Sequence, residues 1–246
     1  ANEALEMEMK LTARGIHVSS NASAYRMDPL VPLIIPEVNG DHIALIERQK
    51  HPGKLVTNPN CAVVFLALAL DPLIKEFGKI RRLSVFTMQA ISGAGYPGVA
   101  SFDILGNIIP NIGGQEEEKI EKEAKKILGS IDKIEDLPIT VNVNRVPVLN
   151  GHTVVMHLEF ERKVEVGLVR NLLNKKAQES ANLYKYYDEP FYPQPLKHIT
   201  PYDQRAHLGR VKQGADPYTI SLISMGHNVV RGAAGAAILN LELLHQ

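Results

Sequence analysis

This 246-residue chain has a single cysteine, no excess of either charge and no long apolar run. With Cys61 alone it closes no internal disulfide and builds no multi-thiolate metal site, so no metal is expected and a reducing compartment suits it. Lys plus Arg and Asp plus Glu both total 27, leaving no net field to gather nucleic acid or an anionic membrane surface. The expected partner is a small molecule, uncharged or locally charged. No apolar stretch reaches the roughly 20 residues that span a bilayer, and the start lacks the basic-then-apolar pattern of an export signal. We expect a cytoplasmic protein without a membrane partner. Internal repeats and low-complexity tracts are also missing. What is present is 45% hydrophobic residues, enough for one large domain or two smaller ones.

The cysteine has an informative setting. It follows Val56-Thr57-Asn58-Pro59-Asn60 and precedes an apolar stretch, residues 61–78, that the periodicity predicts as a helix, with Pro72 kinking or breaking it and Gly78 ending it. Pro59 cannot lie inside that helix, and Asn58 and Asn60 both offer capping oxygens. The sulfur thus sits at the positive end of a helix dipole, which predicts a thiol pKa drawn from about 8.5 towards roughly 3.5–7.5. The alternative is a cysteine packed as a small core residue.

Residues 2–14, with Ala4, Leu5, Met7, Met9 and Leu11, predict a helix ended by Gly15, followed by a strand at Ile16–Ser20 and a polar turn, Asn21-Ala22-Ser23, at the carboxyl end where open α/β sheets place ligands. Three prolines interrupt residues 28–36, and Asp41–Gln49 predicts a short helix. Arg81–Met88 alternates as a strand and runs into a glycine-dense segment, Gln89 to Gly98, that permits close backbone approach to a ligand. Glu116–Leu128 is a charged helix with three glutamates in its first turn. The strands 139–148 and 152–161 are joined through Asn150-Gly151, a hairpin signal. In the second of them Val154, Met156, Leu158 and Phe160 form an apolar face, with His152 on the same parity at its mouth. Val166–Ala177 reads as a helix, and 183–216 as an aperiodic Tyr- and Pro-rich excursion, extended on the surface or contacting another subunit. Tyr218–Ser224 is a strand, after which Gly226-His227-Asn228 opens a Gly- and Ala-rich helix, Val229–His245, whose small face suits tight packing or ligand contact.

Four motifs taken together resemble the aspartate-semialdehyde dehydrogenase family in its archaeal and fungal branch: Asn58-Pro59-Asn60-Cys61; Met88-Gln89-Ala90-Ile91-Ser92-Gly93-Ala94-Gly95; Arg145-Val146-Pro147-Val148-Leu149-Asn150-Gly151-His152; and Gly226-His227-Asn228 with Arg231-Gly232-Ala233-Ala234-Gly235. The match extends from Ser19 to the end. The resemblance implies an α/β fold: the remnant of a Rossmann-type nucleotide-binding domain (residues 1–60), a mixed-sheet α+β catalytic and dimerisation domain (61–225), and a C-terminal helix returning to the first part (226–246). It implies reversible NADP-dependent reduction of L-aspartyl 4-phosphate to L-aspartate 4-semialdehyde, in the pathway to lysine, threonine, methionine and isoleucine.

In that reading Cys61 forms a thioester, His152 is the acid–base and Gln89 orients the acyl group. Asn60 and Lys119 lie near the phosphate, Glu116 takes the substrate ammonium and Arg145 its carboxylate. Ser20, Asn21, Ser92, Gly93 and Asn228 contact the nicotinamide half of NADP. A homodimer or homotetramer is implied. The family's Gly-rich phosphate turn does not occur in these 246 residues; the chain is expected to begin after it, and a phosphate-contacting arginine is expected in the same absent region. Two alternatives remain at this point: a malonyl-CoA or other acyl-CoA reductase on the same scaffold, and a non-catalytic fragment.

Overall fold

The computed structural model describes residues 2–245, and of residues 2–4 the backbone alone. Ala1 and Gln246, the outer limits of two expected segments, lie outside the described residues. In chain order the elements are α1 (Asn2–Ala13), β1 (Val18–Ser20), α2 (Pro36–Asn39), a 3-10 helix (Gly40–Arg48), β2 (Leu55–Thr57), α3 (Cys61–Phe77), β3 (Ile80–Gln89), a 3-10 turn (Ile91–Ala94), α4 (Ser101–Ile104), β4 (Ile109–Pro110), α5 (Glu116–Leu128), β5 (Ile139–Arg145), β6 (His152–Phe160), α6 (Val166–Glu179), β7 (Tyr184–Tyr187), α7 (Pro195–His198), β8 (Ala206–Gln213), β9 (Thr219–Gly226), a π-helical turn (Val230–Ala234) and α8 (Gly235–Leu244).

Two sheets organise them. β1 and β2 pair in parallel, and a seven-stranded mixed sheet runs β4-β5-β3-β6-β9-β8-β7. The C-terminal helix returns to the small sheet: Ser19 Oγ donates to the Ala237 carbonyl at 2.7 Å, and the buried Asn240 amide reaches the carbonyls of Ile34 and Thr57. Helices α3, α5 and α6 cover one face of the large sheet, where Val85, Val143, Val154, Met156, Leu158 and Leu222 join Phe65, Leu66, Ile120 and Leu173 in one core. The opposite face carries Phe86 and Met88, 42% and 37% exposed.

Strand register sets up the site. Gln89 is paired with Arg145 across β3 and β5, and His152 with Gly226 across β6 and β9. Since Met88 faces Thr153, these four residues form one row across four adjacent strands, on the parity that faces the helices. The row meets the amino end of α3, where Gly226 admits Phe65: a methyl group on that glycine would fall 1.9 Å from the Phe65 ring.

Four expectations change. The Asn150-Gly151 signal does not make a hairpin, because β3 lies between β5 and β6. The connection steps over the end of β3 instead, with Val146 N–H donating to the Gln89 carbonyl and Ile91 N–H to that of Val148. Pro72 neither breaks nor ends α3, which runs unbroken to Phe77. A proline leaves the carbonyl four residues back without its donor, and here the Tyr184 hydroxyl donates to that carbonyl, Leu68 O, at 3.2 Å. Residues 183–216 supply two strands and a short helix rather than an irregular excursion. Their pattern escaped because β8 shifts register between Gly209 and Lys212 and holds Arg210 at φ 58°. The final helix begins with a π-helical turn, so only Gly235–Leu244 is regular.

Candidate active site

Cys61 is the first residue of α3. Its neighbour Asn60 is the N-cap, accepting the Ala62 N–H through its side-chain oxygen at 2.9 Å. The thiol borders a chamber of about 410 Å³ with Asn21, Ser23, Arg26, Asn60, Ser92, Lys119, Asn228 and Gly232. A second chamber, about 510 Å³, is lined by Gln89, Asp103, Ile112 and Arg145 among others. Gly93 and Glu116 line both, so they stand at the junction.

Glu116 comes from the amino end of α5. Its Oε1 accepts the Asn60 side-chain amide and, at 3.4 Å, that of Gln89. Arg145, at the end of β5, donates through Nη1 to the Ala90 carbonyl at 2.8 Å and keeps the rest of its guanidinium for the chamber it lines.

The expected acidic thiol is corrected. Cys61 is partly open to the cleft yet deep in the molecule, and burial pushes its pKa up to about 12, with Glu116 adding in the same direction. Arg26, the Ala62 N–H and Arg145 pull it down, but the charge-disfavouring effect of burial wins over the helix end.

His152 is fully buried. Its Nδ1 accepts the Ala90 N–H at 3.0 Å, which leaves the ring's proton on Nε2, and Nε2 has no partner among the described residues. Burial lowers its pKa to about 3, helped by Arg145 and His227. Gly93 covers this edge: a methyl group there would fall 2.8 Å from Cε1, 2.9 Å from Nε2 and 2.9 Å from Arg145 Nη1. The structure thus brings Cys61, Asn60, Glu116 and Lys119 to one chamber and Gln89 and Arg145 to the next, with His152 behind the glycine that borders both.

Of the residues expected at the cofactor, Asn21, Ser92, Gly93 and Asn228 line the chamber with Cys61. Asn228 is held from both ends, its Nδ2 donating to Ser92 Oγ and its Oδ1 accepting the Gly151 N–H, each at 2.9 Å. Ser20 is buried, and its hydroxyl donates to Glu8 while accepting the Ala22 N–H. The chamber wall at Gly95, Gly232 and Ala233 has little side chain, which suits a flat aromatic ring.

The sequence reading missed Arg26. It lines the chamber beside Cys61, within the chain, whereas the phosphate-contacting arginine was expected in the region absent from it. A signal was there: a lone basic residue just after the polar turn that follows β1. Glu123 was missed as well, although it stands seven residues from Glu116 and four from Lys119, on the same side of α5.

Comparison with known proteins gives the same assignment. The chain matches the family described as Semialdehyde dehydrogenase, dimerisation domain over residues 70–231, and Semialdehyde dehydrogenase, NAD binding domain over residues 1–46. It is 43% identical to an aspartate-semialdehyde dehydrogenase of Archaeoglobus fulgidus, covering 98% of this chain and 73% of the relative, and 42% identical to that of Trichophyton rubrum, covering 96% and 72%. The crystal structure of the Candida albicans enzyme with NADP superimposes with a TM-score of 0.86 at 33% identity, covering 100% of this chain and 75% of that one. This chain belongs to the aspartate-semialdehyde dehydrogenase family.

Proposed function

We propose that this chain catalyses the reversible, NADP-dependent conversion of L-aspartyl 4-phosphate to L-aspartate 4-semialdehyde and phosphate, a step of amino-acid biosynthesis in the aspartate pathway, with Cys61 as the nucleophile. The observation that carries the reading is the position of Cys61: first residue of a capped helix, in a chamber shared with Arg26 and Lys119 and adjoining one that holds Arg145. An amino acid with two charges and a reacting carbonyl fits that layout. Arg145 binds the α-carboxylate through two parallel hydrogen bonds, Glu116 at the junction takes the ammonium, and Arg26 with Lys119 holds the phosphate. Gln89 and Asn60 orient the acyl group.

The Cys61 thiolate attacks the acyl carbon of the acyl phosphate, a mixed anhydride, expelling phosphate and leaving a thioester; attack on the aldehyde in the opposite direction gives a thiohemiacetal. NADP, when bound, supplies the hydride chemistry, with Asn21, Ser92, Gly93, Asn228 and Gly232 placed to hold its nicotinamide half. Since burial and Glu116 disfavour the thiolate, the groups that favour it, Arg26, Arg145 and the Ala62 N–H, have to share in forming it. His152 moves the proton. Its Nδ1 is tied to Ala90 and its Nε2 covered by Gly93, so acid–base work requires residues 90–93 to shift, which frees one nitrogen and uncovers the other together.

We assign residues 1–60 with 226–246 to the nucleotide-binding part and 61–225 to the catalytic part, on the packing of α8 against the small sheet. Two copies pair through the open face of the large sheet around Phe86 and Met88 to form a homodimer. A free thiol nucleophile suits the reducing cytoplasm. The test is turnover with the two candidate substrates: phosphate-dependent NADP reduction by L-aspartate 4-semialdehyde, against coenzyme A-dependent oxidation of malonate semialdehyde. We expect only the first, and none in Cys61→Ala. Retained activity in that variant overturns the thioester route.

A further inference from the structure

Helix α5 presents Glu116, Lys119, Glu123 and Lys126 at spacings of three, four and three, hence on one side. The first two face the cleft. The other two are buried and have no part in the chemistry above. Glu123 Oε1 accepts Arg26 Nη1 at 3.0 Å, while its Oε2 accepts the backbone N–H of Asn60 at 2.6 Å. Lys126 Nζ donates to the carbonyls of Arg26, Asp28 and Val31 at 2.7, 2.7 and 2.8 Å. Arg26 is further held by Nη2 donating to the Asn21 carbonyl at 2.8 Å.

Buried charges are a poor way to fasten a helix to a loop, since apolar side chains of similar volume hold as well or better. What charges add is direction. We propose that Glu123 and Lys126 are positioning residues for the phosphate: the carboxylate aligns the Arg26 guanidinium and the cap of the nucleophile's helix from one side chain, and the ammonium gathers the loop that carries Arg26. The anion-binding group and the sulfur are then located against a common reference. This inference rests on the reading of Arg26 as a phosphate-binding arginine.

Inorganic phosphate is the probe, used with the intact enzyme saturated in NADP and L-aspartate 4-semialdehyde. Glu123→Gln keeps an oxygen for the Asn60 N–H but loses the charge that aligns Arg26. It is expected to raise the KM for phosphate about ten-fold, while the KM for the semialdehyde stays within about two-fold. Lys126→Met shifts phosphate KM in the same direction. Adding Glu123→Gln to Arg26→Ala changes phosphate KM by less than about two-fold, because both act through one guanidinium. Without turnover, the phosphate concentration that half-protects Cys61 from iodoacetamide, at constant ionic strength, rises by the same factor. If Glu123→Gln leaves both phosphate values unchanged while Arg26→Ala raises them, the positioning role is overturned and the Arg26 reading stands. Unchanged values in Arg26→Ala overturn both. Should Glu123→Gln fail to fold, Arg26→Lys decides: it keeps the charge but cannot span Glu123 and Asn21, so a ten-fold rise supports the proposal and wild-type values overturn it.

Discussion

Gly232 lies directly on Cys61. A methyl group at Gly232 would fall 2.8 Å from the Cys61 Cβ and 3.2 Å from its Cα, and the nearer obstacle is fixed by the first turn of α3 rather than by a flexible side-chain end. Gly232→Ala therefore has to displace the π-helical turn or the start of α3. We expect a loss of about 1–3 kcal/mol of stability, as for other overpacked sites, with a drop of more than about ten-fold in kcat; calorimetry and steady-state rates check the two together.

Because burial and Glu116 hold the Cys61 thiol pKa up, the ligand-free protein carries little thiolate at neutral pH. Alkylation of Cys61 by iodoacetamide should accelerate steadily from pH 6 to pH 10 without levelling off. A plateau with a midpoint below pH 8 would show a preformed thiolate and restore the helix-end argument.

His152 gives the opposite dependence. Its pKa falls from 6.5 in the unfolded chain to about 3 in the fold, so between those values the unfolded chain binds the extra proton. The stability that this group contributes is complete above pH 6.5 and is lost as the pH falls towards 3. His42, His207 and His227 are lowered too, so the comparison needs a variant. His152→Gln should flatten the acid side of a urea-stability profile between pH 7 and pH 4, and lower kcat by about 10²–10⁴ if the ring moves a proton.

Tyr184 tests the repair of α3. Removing its hydroxyl in Tyr184→Phe leaves the Leu68 carbonyl opposite Pro72 without a donor, which costs about 1–3 kcal/mol for a buried acceptor. The melting temperature should fall while KM and kcat stay near wild type, because Leu68 lies seven residues along α3 from Cys61 and neither it nor Tyr184 lines either chamber.

For the open sheet face, Phe86→Glu with Met88→Asp places two charges where a second copy is proposed to pack. Light scattering should report a shift to monomers, with far-ultraviolet dichroism unchanged. A double variant that keeps the assembly intact places the subunit contact elsewhere.

The local signals that were legible are those that short-range chemistry writes. The Asn60 cap fixed the start of α3, the alternation of Val154, Met156, Leu158 and Phe160 gave β6 its inner face, and Glu116–Leu128 appeared as a helix with its observed bounds. Long-range choices were not legible. Asn150-Gly151 has the chemistry of a tight turn, but the Gln89 end of β3 claims the neighbouring strand positions. Pro72 carries a break signal that only a tyrosine 112 residues further on annuls. At the site, residue types indicated Cys61, Glu116 and Arg145, while Arg26 and Glu123, 97 residues apart, take on meaning only once the fold pairs them. The thiol pKa was misjudged because depth, which no local motif encodes, outweighs the helix end.

The row formed by Gln89, Arg145, His152 and Gly226 is spaced by the ladder itself, about 4.8 Å from strand to strand, so it behaves as a ruler that no loop can stretch. Segments such as 97–110 and 188–205 can lengthen, shorten or diverge in descendants of this chain while those spacings stay put. A single deletion inside β6, by contrast, would turn the imidazole to the far side of the sheet and end the lineage's chemistry at one stroke.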